Sequence, residues 1–561
     1  MLVPSFVTAL CAMAVSAPLL VSAQAPPNPV PVVGPRSGIN AQTGETPARR
    51  NINDLYQEAG PQWDLYVQAL TAMQNAPERD PTSYFQIAAI HGQPYAAWAG
   101  GGPQRGSGGF CPHNEILFGT WHRAYLSLFE QVLVQHAERI ARGYPTAVRD
   151  TYVNAAARLR APFWDWAADS RVPPATVPPA VLINRADGIR ITVTNPLAGY
   201  RYPQSALRGE FGPFNGVNAT KRCIERGQTY PATANRDLTA RDLRTHVYNA
   251  INRAGSWNEI SSMSMGGNSI EGPHGTIHIY GACGQDFYYL STAAFEPLFM
   301  LHHANVDRTL AYWQAINPQS AVTFSYQTRG LFGTPAGTTV TERSPVAPFD
   351  GPNGRPLTSA DVADIRNWGY TYEPMQPWVQ SPSQMRTEVA RTINRLYGPP
   401  QIAARIAARR GDPRRRQERP VERNYFASVS VERGDLVLPA AVEIYVKKHH
   451  AGTFALLGMP QEGMSYDEIP LHQVLQQVAA NMTLPEDIAG FIQSNMEVNI
   501  RKPDGSTISP SSVPSLKILV EDVEVLMPVT EEQLPEYGEP QTRPATPKTL
   551  VIKKVEVVVP C

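Results

Sequence analysis

The chain has 561 residues, enough for two or more domains and a large core. Its 49 Lys and Arg balance its 49 Asp and Glu, so nothing in the charge favours nucleic acid or an anionic membrane as a partner. A hydrophobic fraction of 42% is that of an ordinary globular protein, and 52 prolines imply many fixed loops.

In chain order, residues 1–25 read as a secretory signal peptide. Phe6–Val21 is apolar, and Val21-Ser22-Ala23 or Ala23-Gln24-Ala25 offers a small-residue cleavage site. The run is short and interrupted by Pro18, which argues against spanning, and no later stretch is long and apolar enough to cross a membrane. Pro26–Pro35 reads as an extended edge strand, and Asn51–Asn75 carries helical periodicity through Leu55, Trp63, Leu70 and Met73. Tyr84–Ile90 leads to His91. The glycine-rich stretch Gly92–Gly109 must then bring His113 back beside it.

Phe110–Leu126 reads FCPHNEILFGTWHRAYL and holds His113 and His122. Apolar residues recur at helical spacing from Ile116 to Arg142, so His122 points inward from a buried helix. Helices are also expected over Tyr152–Arg160 and Arg241–Ala254, with Arg171–Asp237 a long surface excursion between them. In Glu271–Tyr280, EGPHGTIHIY, His274 and His278 stand four apart, on one helix face, with Pro273 in the first turn. Phe295–Arg308, FEPLFMLHHANVDR, adds His302 and His303 on a helix within Asp286–Trp313. A lone histidine on an apolar face is usually a hydrogen-bonded core residue. Six imidazoles in two sets of three suit two copper ions.

These motifs resemble the type 3 copper proteins: tyrosinases, catechol oxidases and haemocyanins. The resemblance rests on His91, Cys111-Pro112-His113, Thr120-Trp121-His122-Arg123, Pro273-His274 with His278, and His302-His303 with Asp307-Arg308. It runs from about Pro31 to about Tyr372 and is strongest to secreted fungal polyphenol oxidases with a C-terminal shielding domain. It implies His91, His113 and His122 on one copper, and His274, His278 and His303 on the other, with His302 a neighbour. It implies a thioether from Cys111 to His113, and a catalytic Glu271 holding a water near the coppers. In many tyrosinases an asparagine follows the first ligand of the second site. Here Gly275 follows His274, which puts monophenol hydroxylation in doubt. Phe299, Gly275 and Ile279 would govern substrate access. Ala161–Trp166 resembles the family's aromatic segment, Trp368–Tyr372 its closing tyrosine motif, and Arg49 or Arg50 the arginine beside that motif. His136, His246, His449, His450 and His472 lie outside the motifs and read as non-ligands.

The expected organisation is a signal peptide (1–25), a mainly α dicopper catalytic domain (26–404) with a central helix bundle, a basic linker (405–423), and a C-terminal antiparallel β-sandwich domain (424–561). Period-2 segments at Ala427–Glu432, Val442–Val446, Leu516–Val520 and Leu550–Val555 mark the last. The linker carries Arg409-Arg410 and Arg414-Arg415, which suit an activating protease. The β domain would cover the copper site, with Phe454 or Tyr466 standing where substrate binds. Cys223 and Cys283 are candidates for a disulfide, and Asn218 and Asn481 begin glycosylation sequons. The implied function is a secreted, latent oxidase turning o-diphenols to o-quinones with dioxygen. A haemocyanin-like oxygen carrier and an o-aminophenol oxidase are the alternatives, and a zinc hydrolase a remote one.

Overall fold

A computed structural model describes residues 30–99, 109–211, 218–331, 333–400, 402, 404, 419–482, 484–546, 548 and 549. The signal segment, the dibasic pairs and the strand expected over Leu550–Val555 lie outside them. Four helices, which carry all the motif histidines except His113, meet in the middle of the N-terminal domain. They are Tyr84–His91, Phe118–Ala141, Glu271–Tyr280 and Leu298–Ile316. The last three are buried on nearly every face near their histidines, as their apolar sequences require. Pro61–Gln74 and Thr146–Arg158 pack on the Phe118 helix, and Leu243–Arg253 and Pro382–Tyr397 on the Leu298 helix.

Several expectations shift. Asn51–Asn75 divides into Ile52–Glu58 and Pro61–Gln74, because Ala59 adopts a left-handed cap before Gly60-Pro61. Pro31–Pro35 is irregular rather than a strand. Its backbone is instead fixed by Gln131, whose Oε1 accepts from the N–H groups of Val33 (2.9 Å) and Gly34 (3.1 Å). Arg171–Asp237 is no mere surface excursion: it contains the hairpin Ala180–Asn184/Arg190–Thr194 and buries Leu197, Tyr200 and Tyr202. The Cys223–Cys283 disulfide is present and ties this region to the end of the Glu271 helix.

The C-terminal domain is a β-sandwich. One sheet orders His449–Leu456, Ala440–Val446, Met496–Arg501 and Thr507–Ile508; the other orders Met464–Pro470, Val421–Glu432, Lys517–Leu526 and Glu536–Tyr537. Pairing is antiparallel except for Lys548–Thr549, which runs parallel to Met496–Arg501. Val429, Val520, Val442, Phe454 and Val498, drawn from both sheets, share one core. The domain begins earlier than Asn424. Its first strand starts at Val421, and Arg419 bonds the carbonyls of Leu526 and Leu534, so Arg419–Arg423 belong to the sandwich rather than to a linker.

This domain lies against the mouth of the helix bundle. Ala455 and Leu457 join the catalytic core, whereas Phe454 and Leu456 sit in the sandwich core, the alternation a strand imposes. That parity overturns Phe454 as the residue over the site. Tyr466 is half-buried, and its backbone N–H donates to the Met263 carbonyl of the catalytic domain at 2.9 Å.

Candidate metal centre

The motif histidines gather into two groups, and the second holds His302, expected only as a neighbour, together with His303. His91, His113 and His122 converge, as do His274, His278, His302 and His303, and within each group one ligand atom per residue lies within 4.8 Å of the others. None of the histidines set aside from the motifs belongs to either group. Six of the seven rings lie on helices, and His113 lies in the irregular stretch that precedes the Phe118 helix. His91 ends its helix, His122 sits in the first turns of the long Phe118 helix, and His274 and His278 line one side of the Glu271 helix.

Backbone carbonyls orient three of the rings. The Nδ1 of His91 bonds Leu290 O (3.1 Å), that of His122 bonds Phe118 O (2.8 Å), and that of His278 bonds Phe287 O (2.6 Å). An Nδ1–H donating in this way leaves Nε2 as a lone-pair donor. The Nε2 atoms of His91 and His122, and both ring nitrogens of His113, His302 and His303, are buried without a hydrogen-bond partner among the described residues. His278 Nε2 and His274 Nε2 face each other at 3.1 Å. Burial and neighbouring imidazoles push the pKa of His91, His113, His274, His302 and His303 far down, while burial takes His122 to about 3 and His278 to about 4. Neutral imidazoles with orphaned nitrogens aimed at shared points are what a pair of transition-metal ions satisfies.

Adjacent His302 and His303 differ in setting. His303 stacks on His122 at 4.3 Å and on Phe299 at 4.2 Å, between the two groups. His302 stacks on His274 at 4.9 Å and borders Trp166 and Phe287. Phe299 also touches His91, 4.7 Å between ring centres, so it wedges between both groups. Ile279 is buried in the same core.

Asp307, one turn beyond His303, anchors the bundle. It accepts from Arg123 Nε (2.5 Å), Arg49 NH1 (3.0 Å), Tyr370 OH (2.7 Å) and Tyr372 OH (2.8 Å). Burial resists its charge, but the two guanidiniums outweigh that and lower its pKa. Arg49 is therefore the arginine beside the tyrosine motif. Its strand pairs in parallel with Thr371–Tyr372, whereas Arg50 pairs with the exposed Glu58.

Glu271 is buried, and its pKa is raised to about 7 by that burial, against the pull of N–H donors from Asn114 (2.5 Å) and Met263 (3.0 Å) and of Arg433. Cys111 carries a free thiol that donates to the His91 carbonyl at 3.1 Å. Cys111 and His113, with Met459 and Pro460 of the β domain, line a cavity of about 30 Å³. That volume holds about one water and no phenol ring. The turn Leu457–Pro460, not Phe454, thus shares a cavity with His113 through Met459 and Pro460. Sequence reading missed it because no periodic signal marks a loop tip. Arg433 braces it by donating to the carbonyls of Leu457, Met459 (3.2 Å) and Pro460 (2.7 Å).

Comparison with known proteins agrees with this geometry. The family model described as the common central domain of tyrosinase matches residues 81–316. Polyphenol oxidase 2 of Agaricus bisporus is 32% identical over 384 residues, 66% of this chain and 67% of that protein. The tyrosinase of Podospora anserina is 32% identical over 394 residues, 63% of this chain and 67% of its own. The chain belongs to the tyrosinase family and is a type 3 copper oxidoreductase acting on phenols. At the level of fold, a recombinant mushroom tyrosinase superimposes with a TM-score of 0.79 at 23% identity, over 93% of this chain and all (100%) of that one. A pro-tyrosinase mutant from Aspergillus oryzae does so at 0.71 and 21%, over 94% and 99%.

Proposed function

We propose that the chain is an exported o-diphenol oxidase made in a latent form. His91, His113 and His122 hold one copper, and His274, His278 and His303 the other. The observation that carries this reading is the convergence, at two adjacent points, of buried imidazole nitrogens without a partner among the described residues, beneath a domain whose Met459 and Pro460 line the adjoining cavity. When bound, the copper pair supplies the electron exchange by which two catechols become o-quinones as one dioxygen becomes water. The protein does the rest. The helices fix the imidazoles, and the surrounding core excludes water. Phe299 restricts the approach to the His303 side. Gly275 leaves open the face of the Glu271 helix that the β domain now covers. Glu271, with a pKa near 7, holds a water and accepts the phenolic proton.

Cys111 would bond to a ring carbon of His113 as a thioether: the C–S bond replaces the thiol S–H and the ring C–H, and dioxygen, with the copper pair bound, takes up the two electrons and two protons. His91 and His122 are each oriented by a carbonyl, whereas His113 has no hydrogen-bond partner on either nitrogen among the described residues, so a covalent tether supplies the missing constraint. Export is supported by the apolar N-terminus, the disulfide, and the exposed asparagines 218 and 481 of the two sequons. A protease cutting within residues 405–418 would release the cover. The similarity of fold to a protein titled pro-tyrosinase supports latency.

The test compares oxygen uptake with catechol by copper-loaded full-length protein and by the same protein nicked within 405–418, at equal copper content. Turnover should appear or rise steeply on nicking. An oxygen carrier would instead bind dioxygen in both forms and turn over catechol in neither.

A further inference from the structure

Glu271 is fixed by two backbone donors, and the β domain grips both residues that provide them. Asn114 N–H donates to Oε1 and Met263 N–H to Oε2. The Asn114 side-chain Nδ2 donates to Met464 O at 3.0 Å, and its Oδ1 accepts from Ser465 Oγ at 3.0 Å. The Met263 carbonyl accepts from Tyr466 N–H at 2.9 Å, and its side chain packs into the sandwich core. Successive residues of one strand, Met464, Ser465 and Tyr466, thus hold both partners of one carboxylate.

Asn114 directly follows His113 and has φ of +54°, in the left-handed region that asparagine tolerates and β-branched residues avoid. Its N–H from that turn reaches Glu271. Among the described residues, both ends of its amide are spent on the β domain, so departure of that domain leaves an amide donor and acceptor beside Glu271 and His113.

We propose that Asn114 is a positioning residue with two states. Under the cover its amide anchors Met464 and Ser465. With the cover gone, the same amide turns to the water held by Glu271 and orients it, the task that Gly275 cannot perform. This rests on the reading of the copper pair and Glu271 given above. It extends the activity to monophenols: phenol and dioxygen give o-quinone and water. One oxygen atom forms the new ortho C–O bond, and the other leaves as water. The phenolic proton passes through the oriented water to Glu271.

The experiment uses copper-loaded full-length protein nicked within 405–418, assayed with tyrosine and with catechol at a dilution at which the cover has left. Asn114→Gly keeps the left-handed turn and deletes the amide. It should lower the ratio of monophenol to diphenol turnover by about fivefold or more. Adding Gly275→Asn, which returns an amide from the opposite side, should restore that ratio. A purely structural role for Asn114 would not be rescued in this way. In the same nicked protein, Asn114→Gly and Ser465→Ala should each weaken retention of the cover by roughly tenfold, and the pair together hardly more. An unchanged ratio in Asn114→Gly, or a parent enzyme that turns over catechol but no monophenol, overturns the orienting role. Undiminished cover affinity overturns the anchor. Absence of catechol turnover in the nicked parent would count against the oxidase reading instead.

Discussion

At the scale of single residues, the consequence of each histidine follows from what its second nitrogen does. His122 and His278 are held by carbonyls and offer Nε2, so His122→Ala or His278→Ala should each remove about one copper equivalent per chain and abolish oxidation. Metal analysis of purified variants checks this, and two retained coppers with full activity would rule out the ligand set. Gly275 is a different kind of site. A Cβ there would lie 2.9 Å from Ala455 Cβ and 3.2 Å from Ala455 O. Gly275→Asn in the uncleaved chain must therefore push on the cover, and its catechol turnover before cleavage should exceed that of the parent by several-fold. In the cleaved enzyme the neighbour is gone, and the same change should raise the monophenol to diphenol ratio. Equal latency of parent and variant would show that the β domain yields at Ala455 without loosening.

At the scale of elements, the Leu243 helix and the Arg241 that precedes it meet the sandwich through buried ionisable groups rather than apolar contact alone. His246 pairs with Asp467 at 2.9 Å, Arg253 with Glu468 at 2.5 Å and also with Glu521, and Arg241 faces Glu443 at 3.8 Å. Burial works against a charge on His246, but Asp467 outweighs it, with help from Asp242 and Glu468, and raises its pKa. Burial raises Glu468 to about 7, opposed by Arg253 and reinforced by Glu521 and Asp467. Both shifts have the same sign, because the docked state holds more protons than the released one. The stabilisation is complete below the released-state pKa values and is lost as pH rises through the docked ones. Cover affinity in nicked protein should therefore fall by roughly tenfold from about pH 6 to about pH 8.5, and His246→Gln with Glu468→Gln should flatten that dependence. A binding isotherm that does not move across this range would contradict the linkage.

At the scale of the whole molecule, the cover works through its tether. Its interface mixes apolar residues such as Ala455, Leu457 and Val523 with the ion pairs above, and while the chain is continuous the cover rebinds at high effective concentration. Nicking converts this to a bimolecular equilibrium. Activation by nicking should then grow with dilution, whereas the activity per molecule of uncleaved protein should not change with concentration. Analytical gel filtration alongside oxygen uptake distinguishes the two. Concentration-independent activity of nicked protein would mean that the domains stay together and that latency has another origin.

What the sequence determined by itself was local. The step from His274 to His278 puts both rings on one face because the helical repeat is 3.6 residues, and period-2 strands announce the sandwich. Those signals need only neighbours within a few residues. Tertiary structure alone decided that Arg49 rather than Arg50 meets Asp307, that Val421 already belongs to the sandwich, and that Met459 and Pro460 rather than Phe454 line the cavity at His113. It also decided that Ser465 holds Asn114 across 351 positions of sequence. The physical reason is the same in each case. Which of two adjacent side chains faces a partner depends on the register and docking of elements far apart in the chain, and packing, not periodicity, selects among the alternatives.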